Sequence, residues 1–264
     1  MKKALLSASL ILVTLCTLAL PSLGKDIWYL GHRISDISRP WTSDDYDSLL
    51  NALRDVDHIQ QDALPRRGGE FTGPVYERIV SAENFRADLD IHTSVEVRRR
   101  EAAKKLGFIK ELMRVYFDFK SPYQPYGAEA LGLMVYSVRQ QSVLFTITVE
   151  YWLTLPENEQ KAPETLRGLH EIKRAAGTLA KSSLQYLKLH SQFNEKVMNV
   201  YAYELNVMLP ELFVHLQHPA KLDIRNRVES LSITHPGEKV RDAMSRLLGT
   251  LNQILTADSN NGQS

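Results

Sequence analysis

Apolar and small residues in this chain recur at alternating steps of three and four, the spacing that places side chains on one face of an α-helix. The longest such seam comprises Leu169, Ile172, Ala176, Leu179, Ser183, Tyr186 and His190. A second seam near the C-terminus comprises Val240, Met244, Leu247, Leu251 and Ile254. No segment shows convincing strand alternation. The pattern predicts an all-α fold, an irregular or up-and-down multi-helix bundle of about six to eight helices.

Capping and breaking residues indicate where these helices begin and end. Thr42-Ser43-Asp44-Asp45 is typical of a helix start, because a hydroxyl precedes carboxylates that stabilise the first turn. That helix is predicted to end before Pro65. Pro210 is predicted to kink or restart a later helix, which leaves 211–218 as a short helical piece of its own.

The N-terminus has the layout of a secretory signal. Met1-Lys2-Lys3 is followed by apolar residues to Leu20 and then by Pro21-Ser22-Leu23-Gly24. This order predicts a signal peptide cleaved after Gly24, and hence an exported protein, periplasmic or extracellular, without a transmembrane segment after cleavage. An uncleaved anchor is the alternative, because the apolar run approaches the ~17 residues that span a bilayer. The predicted organisation is a signal peptide at 1–24, an extended arm at 25–42, a single α-helical domain at 43–256 and a disordered tail at 257–264.

Composition excludes several classes of function. Cys16 is the only cysteine and lies in the predicted signal peptide, so the processed chain has no disulfide, cysteine-ligated metal or thiol nucleophile. Loss of Lys2 and Lys3 leaves 30 basic against 31 acidic residues. Because no positive charge is in excess, nucleic acid is not predicted as a partner.

A polar stripe on the most apolar helix, predicted over 128–155, is the candidate ligand site. Tyr136, Arg139, Thr146 and Glu150 fall on about one side of that helix at roughly 100° per residue. If the stripe faces inward, it could orient an amphipathic ligand in an apolar bundle. The alternative is that these side chains reach solvent or make structural ion pairs.

The candidate metal site consists of Glu211, His215 and His218. Steps of four and three would place all three on one helical face, where carboxylate and imidazole could hold a divalent metal. A matching pair on a second helix is missing, so solvated helix surface is the alternative and no other cofactor is predicted. The same alternative applies to two further acid–histidine sets, Asp55 with His58 and Asp62, and Asp88 with His92.

The densest basic cluster lies at the start of a helix predicted to begin near Thr93. It comprises Arg98, Arg99, Arg100, Lys104 and Lys105. Such a cluster could contact anionic lipid head groups, and a solvated helix start explains it equally well.

Catalytic motifs are missing from the sequence. His170-Glu171 lacks the second histidine that a zinc protease needs, and no nucleophile elbow or phosphate-binding loop occurs. The leading hypothesis is therefore a non-enzymatic binding or scaffold protein of the cell envelope with a protein partner, and homo-oligomers are compatible with it. The alternatives are a carrier of an apolar or amphipathic small molecule between the bundle helices, and a metal-dependent enzyme or metal-binding bundle.

Overall fold

The structure, a computed structural model, describes residues 26–36, 39–54, 64–70, 72–118 and 126–261. The predicted signal peptide at 1–24 lies outside these residues, as does the acid–histidine set at 55–62. Within the described ranges, no helix combines the length and the apolarity needed to cross a membrane.

The described chain is helical almost throughout, which confirms the predicted all-α class. Its helices are α1 (Ser43–Arg54), α2 (Gly73–Ile79), α3 (Glu83–Asp88), α4 (Val95–Asp118), α5 (Gly127–Thr154), α6 (Glu157–Gln160), α7 (Pro163–Tyr186), α8 (Glu195–Phe213), α9 (His218–Thr234) and α10 (Glu238–Asn261). A 3-10 helix, Leu187–Gln192, joins α7 to α8. Proline in the first turn of α2, α7 and α9 marks where these helices begin, because the missing N–H would be unsatisfied there anyway.

The N-terminal arm forms a β-hairpin that the sequence pattern did not predict. Strand β1 (Asp26–Tyr29) pairs antiparallel with β2 (His32–Asp36). The turn between them uses positive φ angles at Leu30 (50°) and Gly31 (80°), as a two-residue hairpin turn requires. Strands of four and five residues are too short for alternation to stand out in the sequence.

The central helix is α5, which packs against α4, α7 and α8. Glu150, near the end of α5, pairs with Arg98 near the start of α4, so these two helices are antiparallel. Lys173 in the middle of α7 lies over the Phe145 ring in the second half of α5. Tyr186 at the end of α7 stacks on Phe117 at the end of α4, so α7 runs in the direction of α4 and is antiparallel to α5 as well. Consequently α4 and α7 lie side by side along α5 and run in the same direction.

Two boundaries in the C-terminal part differ from the predictions. Helix α8 continues through Pro210 and ends at Phe213, so 211–218 is not a separate helical piece. Helix α10 continues to Asn261, into the segment predicted to be a disordered tail. The tail is held because Asp258 accepts an ion pair from Lys221 of α9 at 2.6 Å, and the Lys221 side chain is almost fully buried.

Candidate functional site

A groove of about 730 Å³ lies between α4 and α7, with Met134 of α5 in its floor. We call it the basic groove. Its lining residues are Lys110, Met113, Arg114 and Phe117 of α4, Met134 of α5, and Glu171, Arg174, Ala175, Thr178, Leu179, Ser182 and Tyr186 of α7. The floor is apolar and the rim carries three cations and one carboxylate.

The two ends of the basic groove differ in polarity. Glu171 and Arg174 lie at one end. At the other end the rings of Phe117 and Tyr186 stack, with centroids 4.8 Å apart and planes 16° from parallel. Arg174 precedes Tyr186 by three helical turns, which corresponds to ~18 Å along α7. The groove is therefore elongated, with Glu171 and Arg174 at one end and the two stacked rings, one helical turn from Arg114, at the other.

The cations of the basic groove lack partners. In the described part of the chain, Lys110, Arg114 and Arg174 form no ion pair and donate no side-chain hydrogen bond. Burial lowers the pKa of Lys110, because the partly buried ammonium loses solvation and no anion pairs with it. A bound anion would offset that cost.

Two adjoining cavities lie between α5, α8 and the loop that contains Arg66 and Arg67, and we call them together the α8 cleft. It has a large lobe of about 550 Å³ and a small lobe of about 170 Å³. Both lobes are lined by Arg67, Gly132 and Glu204, so these three residues form a waist between them. A Cβ at position 132 would collide with the Tyr76 hydroxyl, so glycine is needed to keep α5 and α2 this close.

The structure brings two of the four predicted ligand residues to this cleft. Tyr136 and Arg139 line the small lobe. Arg139 lies over the Phe85 ring, 4.8 Å from its centroid, and is about one third exposed. Thr146 is exposed and donates to a carbonyl of its own helix, and Glu150 pairs with Arg98 at 2.5 Å. The predicted stripe therefore does not face one site.

The premise of the predicted metal site is wrong, because the three residues do not share a helical face. Glu211 lies in α8, His215 in the following turn, and His218 at the start of α9. The chain turns here because Pro219 starts a new helix. The His215 ring packs on Phe145, with centroids 4.4 Å apart, and burial lowers the pKa of His215. Across the described ranges, no three His, Cys, Asp or Glu side chains gather as metal ligands.

A buried polar network joins α1, α3, α4 and α5. Lys105 forms an ion pair with Asp88 at 2.7 Å, and each side chain is only 2% exposed. Gln140 donates to the second Asp88 oxygen at 2.9 Å. Asn84 accepts the backbone N–H of Trp41 and donates to the hydroxyls of Tyr46 and Tyr136. The interpretation of Asp88 and Lys105 as solvated surface is therefore wrong.

This network stabilises the fold and does not form a ligand site. Its ionic groups are enclosed and satisfy one another, so no ligand is needed to stabilise their charges. Burial raises the pKa of Asp88, and the nearby Lys105 opposes that rise. Two members of the basic cluster also make structural contacts: Arg98 is nearly buried and pairs with Glu150, and Arg99 lies over Tyr151 at 4.5 Å, whereas Arg100 and Lys104 are exposed.

Sequence reasoning missed the basic groove. Lys110 and Arg114 are one turn apart on α4, next to Met113 and Phe117, which is a weak signal for a mixed apolar and basic face. That pattern becomes a site only because α7 lies on the same side of α5, and a single sequence does not specify such packing.

Comparison with known proteins finds no matching family model, no similar curated protein and no similar solved structure.

Proposed function

We propose that this protein is a non-enzymatic carrier of a single-headed amphiphile with an anionic head, bound in the basic groove. Of the functions that the sequence leaves open, this is the carrier alternative. The observation that supports it is the set of three unpartnered cations, Lys110, Arg114 and Arg174, around an apolar floor. The function is thus assigned to residues other than the predicted stripe.

The dimensions of the groove suit such a ligand. Its volume of about 730 Å³ lies within the range of ~300–1,000 Å³ that is usual for small-molecule sites. The polarity changes along its length, from Glu171 and Arg174 to the stacked rings of Phe117 and Tyr186. A molecule with one charged end and one long apolar end fits that gradient. A peptide in which polar and apolar side chains alternate does not fit it.

The charge of the groove favours an anionic head. Three cations face one carboxylate, and Lys110 is partly buried without a partner. A carboxylate head would form charge-assisted hydrogen bonds with Lys110 and Arg174. The aliphatic stem of Arg114 would cover the chain of the ligand while its guanidinium stays in water.

Calorimetric titration of the full chain with three ligands of one chain length tests this proposal. The ligands are dodecanoate, dodecanol and dodecyltrimethylammonium, each below its aggregation concentration. We expect dodecanoate to bind about tenfold or more tightly than dodecanol, because a charged hydrogen bond contributes ~1.5–3 kcal/mol. We expect no binding of the cationic ligand. Equal affinity for all three would contradict the proposal.

Two matched pairs of variants locate the binding. Lys110→Met and Arg174→Met should each weaken dodecanoate binding and leave dodecanol binding nearly unchanged. The controls are Lys104→Met on α4 and Arg167→Met on α7, which remove the same charges from exposed positions outside the groove. If the controls reduce affinity as much as the groove variants, the attraction is general and the groove is not the site.

A second candidate function, a scaffold for a protein partner, is favoured by an exposed apolar stripe on α8. Val200, Tyr203 and Val207 follow steps of three and four and are 41%, 61% and 45% exposed. Such a stripe matches the face that helices use to contact partners. A photoreactive amino acid in place of Tyr203 should form a discrete adduct in the native cells, and one in place of exposed Gln192 should not.

A further inference from the structure

The waist of the α8 cleft contains two groups of opposite charge that do not pair with each other. Arg67 and Glu204 line both lobes, and their side chains form no hydrogen bond or ion pair among the described residues. Burial raises the pKa of Glu204, and Arg67 opposes that rise. A ligand at the waist therefore needs a hydrogen-bond acceptor toward Arg67 and a donor toward Glu204.

An amide is the simplest neutral group with that chemistry. Its carbonyl accepts from a guanidinium and its N–H donates to a carboxylate. Because the waist lies between two lobes, the parts of the ligand on either side of the amide would enter different lobes. The walls of the small lobe include Phe85, Val135 and Met208, which suits one apolar side chain.

The small lobe also contains a cation with spare hydrogen-bonding capacity. The nearest acid to Arg139 is Glu211, whose Oε2 lies 3.9 Å from the Arg139 Nε, too far for a hydrogen bond. The Arg139 guanidinium is positioned over Phe85, on the wall of the same lobe. A carboxylate on the group that enters the small lobe would therefore have a partner.

We infer that the α8 cleft binds the C-terminal end of a peptide whose last residue is apolar. The last side chain occupies the small lobe, its carboxylate pairs with Arg139, and its amide bridges Arg67 and Glu204 at the waist. The preceding residue occupies the large lobe between Val197 and Leu131. The exposed stripe begins at Val200 on the rim of that lobe, so the body of a protein with such a C-terminus could continue along α8.

Calorimetric titration of the full chain with N-acetyl-Leu-Leu tests this inference, with the C-terminal carboxamide of the same peptide as the comparison. We expect the free carboxylate to bind about tenfold more tightly, since a charge-assisted pair with Arg139 is lost in the carboxamide. Failure of the carboxylate to bind, or equal affinity of the two peptides, would overturn the inference.

Variants assign each contact. Arg139→Gln should abolish the preference for the carboxylate, and Glu204→Met should weaken both peptides alike, because it removes the acceptor for the amide N–H. The matched control is Arg86→Gln, an exposed arginine of α3 outside the cleft. If Arg86→Gln also abolishes the preference, the effect is one of overall charge and the inference fails. Lys110→Met should leave peptide binding unchanged, so this result is independent of the basic groove.

Discussion

Two lysines of α4, five residues apart, have opposite environments. Lys105 is almost fully buried, and its ammonium pairs with Asp88 and also donates to the Asn84 carbonyl. Lys110 is partly buried at the basic groove, has no anionic partner and has a lowered pKa because of burial. The two lysines therefore have different roles in one helix. Lys105 pairs with a carboxylate of the fold and contributes to the packing of the helices. A partly buried cation without a partner, such as Lys110, costs free energy until a ligand supplies one.

The largest expected effect comes from breaking the buried pair. Lys105→Met should reduce the free energy of unfolding by ~3–5 kcal/mol, because Asp88 then remains buried without a counter-charge. Urea denaturation followed by circular dichroism measures this change. The double variant Asp88→Leu with Lys105→Met should recover much of the loss, because neither charge is then left alone. Lys110→Met should change stability by less than ~1 kcal/mol, and a loss as large as that of Lys105→Met would contradict the comparison.

A smaller loss is expected at Asn84, the amide that links the network to the arm. Asn84→Ala removes the acceptor of the Trp41 N–H and the donor to Tyr46 and Tyr136. The expected cost is ~1–3 kcal/mol, since buried groups are left unsatisfied. Asn226→Ala, at an exposed position on α9, is the comparison in the same denaturation experiment. Equal losses for the two variants would mean that burial of the Asn84 amide contributes nothing specific.

The smallest expected effect is the pH dependence contributed by His235. Its Nε2 donates to the Leu187 carbonyl at 3.0 Å and its Nδ1 accepts the Gly237 N–H at 3.0 Å, so the ring is held neutral. Burial lowers the pKa of His235, and therefore the unfolded state takes up a proton first as the pH falls. The contribution of His235 to the free energy of unfolding should be fully present above pH ~6.5, the pKa of the unfolded state. It should decrease as the pH falls from there toward the lower pKa of the folded state.

Comparison with His235→Gln isolates that contribution. The variant should have a lower free energy of unfolding at pH 7.5. Between pH 7 and pH 5, its free energy of unfolding should decrease less steeply than that of the original protein. Burial also lowers the pKa of His215, so His215 contributes to the pH dependence of stability equally in both proteins. An unchanged slope in His235→Gln would show that His235 takes no part in the titration.

The helices were predictable because their signal is local. The apolar seams at 169–190 and 240–254 and the proline at the start of α7 are readable in the sequence, and α5 was predicted within one residue of its observed ends. The hairpin was missed because it depends on a short turn at Leu30 and Gly31, and the extension of α10 was missed because Lys221 stabilises it from another helix.

The sites were less predictable because they depend on which helices become neighbours. Arg98 and Lys105 belong to the basic cluster at the start of α4, yet both are buried, and their partners Glu150 and Asp88 come from other helices. The metal prediction assumed one continuous helix from Glu211 to His218, and the chain turns there instead. Arg139 was predicted as a ligand residue and does line a cavity, but the partner residues Arg67 and Glu204 are distant in sequence.

The position of a bound amphiphile is the most direct test that unpartnered cations mark the ligand site. Met113 and Met134 line the basic groove, Met208 lines the α8 cleft, and Met198 and Met244 are buried elsewhere. Protein labelled with ¹³C at the methionine methyl groups would therefore report the site by nuclear magnetic resonance during titration with dodecanoate. We expect the signals of Met113 and Met134 to shift in a saturable manner while the other three stay in place. Saturable shifts of Met208 alone, or no shift at Met113 and Met134, would contradict the account.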